Sequence, residues 1–164
     1  MSTLWVPAYI AVGSNLDDPL AQVRLALEKL RTLAASRLIR VSRLYRSAPL
    51  GPQDQPEFVN AVAGVLTQLS PRELLQTLKQ LEADLGRASP VVRWGPRRID
   101  LDLLVHGTAR IEEADLVVPH RGVPERNFVL YPLHDIAPDL IVPGHGSVAS
   151  LAARVGAAGL VPLS

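Results

Sequence analysis

Cysteine is missing from all 164 residues. A disulfide framework, a thiolate zinc site and a cysteine nucleophile are thereby excluded. Aromatic side chains are scarce at 4% (two Trp, three Tyr, two Phe). A stacking platform for unpaired bases is therefore poorly supplied. Lysine occurs only as Lys29 and Lys79, so 15 of the 17 basic residues are arginine. Nor is there an excess of either charge: 17 bases face 16 acids, for a formal net charge of +1. That balance argues against a general nucleic-acid coat or a polybasic membrane binder. No run reaches the roughly 18 apolar residues of a membrane span, and Met1 to Trp5 lacks the basic and apolar regions of a signal peptide. A cytoplasmic protein is expected.

What remains is a chain that is 48% hydrophobic with a mass of 17.7 kDa. A domain of that mass exposes roughly 8,000 Å² and buries about 69% of its unfolded surface, enough for one core. A single domain over residues 1–164 is expected. Trp5 to Val12 is apolar and β-inclined and runs into Gly13-Ser14-Asn15, a turn signal. Asp17 or Asp18 then caps a helix with Pro19 at its first position and Leu20, Val23, Leu27 and Leu30 on one face. Residues 38–46 alternate, with Ile39, Val41 and Tyr45 opposite Arg40, Ser42 and Arg46, which predicts a strand with one wet face. Residues 47–56 hold three prolines and a glycine and read as a stiff loop.

Phe58 to Leu69 reads as a strand. Ser70 and Glu73 form a capping box around Pro71, opening a helix whose buried stripe is Leu74, Leu78, Leu81 and Leu85 and which Gly86 ends. Residues 87–98 are irregular, and Ile99 to His106 is a further strand. A short hairpin is expected within 107–119, and a helix from Pro124 to Ile136 that Pro132 kinks or ends. Ser147 caps a last helix through Val155. The order β-α-β-β-α-β predicts an α+β sandwich on a ferredoxin-like core.

Chemistry concentrates around residues 93–103 (RWGPRRIDLDL). On a strand, Ile99, Leu101, Leu103 and Val105 face one way while Asp100 and Asp102 face the other, with Cα atoms ~6.7 Å apart. Such a pair suits hard cations whose coordination phosphate oxygens complete. Taken alone, such a pair is more often the solvated face of an amphipathic strand, although aspartate is disfavoured in strands. Just before it, residues 87–98 carry Arg87, Arg93, Arg97 and Arg98 and no acid. Arginines beside carboxylates would attract both ends of a metal–polyphosphate complex. No Walker A loop is present. Asn60 lies within a predicted strand, where a buried amide needs partners that a flat heterocycle could supply. Phe58 and Phe128, the only phenylalanines, are core residues or stacking surfaces. His120 ends a strand with Arg126 following, and a lone histidine is more often structural. His106, His134 and His145 read as surface or loop residues.

These residues resemble the 6-hydroxymethyl-7,8-dihydropterin pyrophosphokinase family. The resemblance runs from Ala8 to Val142 through AYIAVGSNL (8–16), PLGPQDQP (49–56), FVNA (58–61), Gly86-Arg87, RWGPR (93–97), IDLDL (99–103) and VPH (118–120). It implies transfer of the terminal diphosphate of ATP to the hydroxymethyl oxygen of the pterin, with release of AMP. It also implies a ferredoxin-like α+β sandwich with a mainly antiparallel sheet flanked by helices. Asp100 and Asp102 would hold two Mg²⁺ ions. Asn60, with backbone groups of Ser47 and Leu50, would read the pterin edge between Phe58 and Phe128. Arg87, Arg93 and Arg97 would contact the ATP phosphates, with Trp94 closing over the site. Glu82, His120 and Arg126 would lie on the nucleotide side. The loop reads Arg87-Ala88-Ser89-Pro90 where many members carry a second arginine, and Phe58 stands where tyrosine is frequent. Partners would be small molecules only, for a monomer that meets neither nucleic acid nor membrane. An RNA-binding module and a metal-dependent phosphohydrolase are the rival readings.

Overall fold

A computed structural model describes residues 3–47, 57–86 and 99–163. Of the predicted loop 47–56, residues 48–56 lie outside them while Ser47 ends a strand. The predicted irregular stretch 87–98 lies outside entirely, and with these segments Leu50, Arg87, Arg93, Trp94, Arg97 and Arg98.

The first strand, β1 (Val6–Ser14), buries alternate residues Ala8, Ile10, Val12 and Ser14 on one face. It runs two residues past the expected strand end at Val12, through Gly13 and Ser14 of the turn signal. Helix α1 (Pro19–Leu30) is capped by Asp18, whose carboxylate accepts the Ala21 N–H, and it buries Val23, Ala26, Leu27 and Leu30. The predicted strand 38–46 is two strands, β2 (Ser36–Val41) and β3 (Tyr45–Ser47), both lying along one edge of β4 (Phe58–Thr67). Ser42 causes the break. Its N–H donates to the Val62 carbonyl and its hydroxyl accepts the Val62 N–H at 2.9 Å, a local loop between the two pairings. A register shift between Leu38 and Arg40 accompanies it, so Ile39 and Val41 face outward rather than sharing a buried face with Tyr45.

Helix α2 (Pro71–Gly86) opens on the expected capping box: Glu73 accepts the Ser70 N–H at 2.9 Å and Ser70 Oγ accepts the Glu73 N–H at 3.1 Å. Strand β5 (Asp100–His106) follows, then a hairpin of β6 (Ile111–Glu113) and β7 (Leu116–Val118), as expected within 107–119. Helix α3 spans Asn127–Ile136. Its start at Asn127 instead of Pro124 follows from turns in which the Glu125 and Arg126 N–H groups both donate to the Gly122 carbonyl. Pro132 lies inside the helix without ending it. The hairpin β8 (Ile141–Val142) and β9 (Gly146–Ser147) leads to α4 (Val148–Val155), capped by Ser147, and β10 (Leu160–Pro162) closes the described chain.

The main sheet has the order β10-β3-β4-β1-β5, with β2 also on β4, and every pairing is antiparallel. This is the ferredoxin-like arrangement the element order predicts. One core lies between the sheet and α1 and α2. It contains Ile10, Val12, Val23, Leu27, Leu74, Leu78, Leu101 and Leu103. A second lies on the opposite face under α3 and α4, with Val62, Leu104, Val105, Leu130, Leu133 and Leu151. Val105 belongs to this second core, not with Leu101 and Leu103 as alternation predicts. The pairing of β1 with β5 slips between Tyr9 and Ile10, so Leu104 and Val105 both reach the α3 side.

Candidate active site

Antiparallel register brings the polar candidates together at one end of the sheet. Gly13 of β1 pairs with Asn60 of β4 on one side and with Asp100 of β5 on the other. Ala11 likewise pairs with Val62 and Asp102. By strand alternation Phe58, Asn60, Asp100 and Asp102 share the face that carries the second core. Between amide and acid the strand offers only glycine and alanine, so the floor there is shallow. The two aspartates are half-buried, as is Phe58.

Asn60 is buried, and its Nδ2 donates to Ser47 Oγ at 2.7 Å. Ser47 is placed by two neighbouring strands: β4 pairs it with Phe58, and β10 pairs it with Leu160. Two residues earlier, the buried Tyr45 lies opposite Asn60. Its hydroxyl donates to Asp135 of α3 at 2.6 Å and accepts from Arg43 at 2.9 Å. Burial first, and the Asp135 hydrogen bond second, push the phenol up to about 12. Sequence patterns did not mark this trio, because its members come from a strand break and the far end of a helix.

Beside the aspartates stands Glu82. Its carboxylate accepts the Leu101 N–H at 2.6 Å, satisfying a donor on the outer edge of β5 between Asp100 and Asp102. Burial pushes this carboxyl up to about 7. The Leu101 hydrogen bond opposes the shift, and the charges of Asp100 and Asp102 add to it.

His120 is half-buried and follows β7. Its backbone N–H donates to the Leu104 carbonyl, tying it to β5. Its Nδ1 accepts the Gly122 N–H at 3.0 Å, which leaves the ring neutral with its proton on Nε2. Burial is the main cause that depresses its pKa; the Asp102 charge opposes this and Arg126 reinforces it. The Arg126 guanidinium lies 5.9 Å from the centre of the Phe128 ring, at the start of α3. Phe128 packs against the second core.

His106 is a correction to the sequence reading. It is buried, and its Nε2 lies 2.8 Å from the Leu69 carbonyl, a structural contact. His134 and His145 are exposed as expected. Among the described residues the structure thus gathers Ser47, Phe58, Asn60, Asp100 and Asp102 on one end of one sheet face. Glu82 flanks the edge strand and His120, Arg126 and Phe128 the α3 side. Gly13, missed as a site residue, read as a turn signal; only its register shows it between Asn60 and Asp100.

Fold and site together define a ferredoxin-like α+β domain whose polar sheet end carries a buried amide beside an acidic pair. Residues 9–138 match the family model described as 7,8-dihydro-6-hydroxymethylpterin-pyrophosphokinase (HPPK), and the chain belongs to that family. A 2-amino-4-hydroxy-6-hydroxymethyldihydropteridine pyrophosphokinase of Pseudomonas aeruginosa is 49% identical over 135 residues, covering 82% of this chain and 83% of that protein. One of the same name from Haemophilus influenzae is 44% identical over 146 residues, covering 89% and 91%. Among solved structures, an HPPK-DHPS in complex with substrates superposes with a TM-score of 0.71 at 14% identity. It covers 93% of this chain and 43% of that one. A Plasmodium falciparum HPPK-DHPS with pteroate does so with a TM-score of 0.71 at 13% identity, covering 92% and 44%. The chain spans under half the length of those solved chains, and at such identity the likeness concerns the fold.

Proposed function

We propose that this chain transfers the terminal diphosphate of ATP to the hydroxymethyl oxygen of 6-hydroxymethyl-7,8-dihydropterin, releasing AMP, as a step of folate biosynthesis. Family membership supports the reaction. The observation that carries the site is the register in which Gly13 separates Asn60 from Asp100 by one strand on either side. A flat donor–acceptor edge read by Asn60 would leave its hydroxymethyl arm directed along the sheet toward the acids.

In the transfer, the pterin hydroxyl oxygen bonds to the β-phosphorus while the bond from that phosphorus to the α,β-bridging oxygen breaks, and AMP leaves with that oxygen. Little of this needs covalent help from the protein; alignment and charge stabilisation dominate. Asn60, Ser47, Leu50, Phe58 and Phe128 are assigned to the pterin, with Trp94 closing over it. Arg87, Arg93 and Arg97 are assigned to the triphosphate. Glu82, His120 and Arg126 are assigned to the nucleotide side, where the neutral His120 offers an Nε2–H donor.

Asp100 and Asp102 are the assigned metal ligands, and the donor set fits. Two half-exposed carboxylates on one strand face provide only hard oxygen donors. Among the described residues no three of His, Cys, Asp and Glu form a cage. Mg²⁺ is commonly held in this open fashion, by one or two carboxylates with water and phosphate oxygens. Two such ions would supply neutralisation of the triphosphate and acidify the attacking hydroxyl.

The chain is taken to act as one domain, a cytoplasmic monomer with small-molecule partners. Among the described residues no helix is long and apolar enough to cross a membrane. The test is AMP release from ATP plus the hydroxymethyl-pterin by Asp100→Ala and Asp102→Ala. Each variant should lose roughly a thousandfold in rate, about 4 kcal/mol of barrier. Activity within tenfold of wild type in either would overturn the metal assignment.

A further inference from the structure

Glycine inside a strand weakens it, and it commonly marks a place where something approaches the backbone closely. Gly13 is such a residue: it lies within β1, paired on both sides, with no positive φ to require glycine. Conformation therefore does not explain it. Space does. A Cβ at this position would stand 3.0 Å from Asn60 Oδ1, closer than side chains normally pack, while its next neighbour, the Val59 carbonyl, is at an ordinary 3.8 Å. Among the described residues the obstructed atom is the amide oxygen alone.

The other end of that amide is already committed, since Nδ2 donates to Ser47 Oγ at 2.7 Å. Asn60 is thus stretched across two strands, anchored on β3 and lying with its oxygen over Gly13. We propose that Gly13 is a positioning residue for the heterocyclic substrate. Its missing side chain lets the Asn60 carboxamide lie flat across β1 with Oδ1 available to accept an N–H from the substrate edge. A methyl group at position 13 would lift or rotate the amide away from the orientation that Ser47 holds. The inference rests on the reading above, in which Asn60 faces the pterin.

The experiment is a double-mutant cycle on pterin binding, measured calorimetrically in the presence of a non-hydrolysable MgATP analogue. Gly13→Ala should weaken pterin binding about tenfold, the worth of one well-placed hydrogen bond, and leave binding of the analogue within twofold. In the Asn60→Ala background, Gly13→Ala should change pterin affinity by less than twofold, because the atom it displaces is gone. Equal weakening in both backgrounds, or none in the wild-type background, would overturn the proposal. If Gly13→Ala lowers the melting temperature, Asn60→Ala should restore it in the double variant; failure to restore it would also count against an obstruction made through Asn60. Should Asn60→Ala itself leave pterin affinity unchanged, the pterin-side placement fails first, an outcome distinct from the failure of Gly13 alone.

Discussion

Glu82 is a structural side chain set beside the candidate site. It satisfies a backbone donor on the outer edge of β5, yet does so as a carboxyl beside two other carboxyls. Folding raises its pKa to about 7 from the ordinary value of 4.5. An acid raised in this way binds its proton more tightly folded than unfolded. Its stabilising contribution is complete below the unfolded value and is lost as pH rises through about 7. Thermal melts in EDTA should accordingly show wild type losing stability relative to Glu82→Gln between about pH 5 and about pH 8. Parallel curves would show that Glu82 does not titrate in this window. At this scale the sequence was legible wherever a residue type was out of place. Aspartates in a strand and an asparagine among apolar residues both announced themselves. Gly13 did not, because Gly-Ser-Asn is the ordinary signature of a turn. His106 misled for the opposite reason: nothing in its neighbours shows that the Leu69 carbonyl waits for it.

Elements were legible where their ends are set locally. Asp18, the Ser70–Glu73 box and Ser147 each name a helix start because a side chain satisfies N–H groups within three residues. Where the partner is distant, the reading failed. The β2–β3 break depends on Ser42 meeting Val62, and β8, β9 and β10 are two or three residues long and exist through pairing alone. The same distance hides the tie between β3 and α3, in which Tyr45 meets Asp135 across 90 positions. Tyr45→Phe keeps the buried ring and removes the hydroxyl. It should cost about 1 kcal/mol in urea unfolding, the net worth of such a bond near the surface. It should also weaken pterin more than nucleotide, because Tyr45 abuts Asn60 in register. An unchanged unfolding midpoint would mean the Arg43–Asp135 ion pair, at 3.2 Å, holds this junction without the phenol.

Two cores share one sheet, and among the described residues both faces are covered except at the polar end. Ser47, Phe58 and Ile99, which lie at or next to the ends of segments 48–56 and 87–98, border that end. The formal charge of +1 conceals how charge is distributed along the chain, with four arginines and no acid in residues 87–98 and then Asp100 and Asp102. Under the function proposed above, near-neutrality would reflect two opposed sites, a phosphate clamp and a metal pair, rather than indifference to anions. The measurement that bears most directly on this account is product analysis of ATP turnover with and without the hydroxymethyl-pterin. The account predicts AMP and the pterin diphosphate in equal amounts, formed only when both substrates are present. Phosphate or pyrophosphate released from ATP at the same rate without the pterin would contradict it.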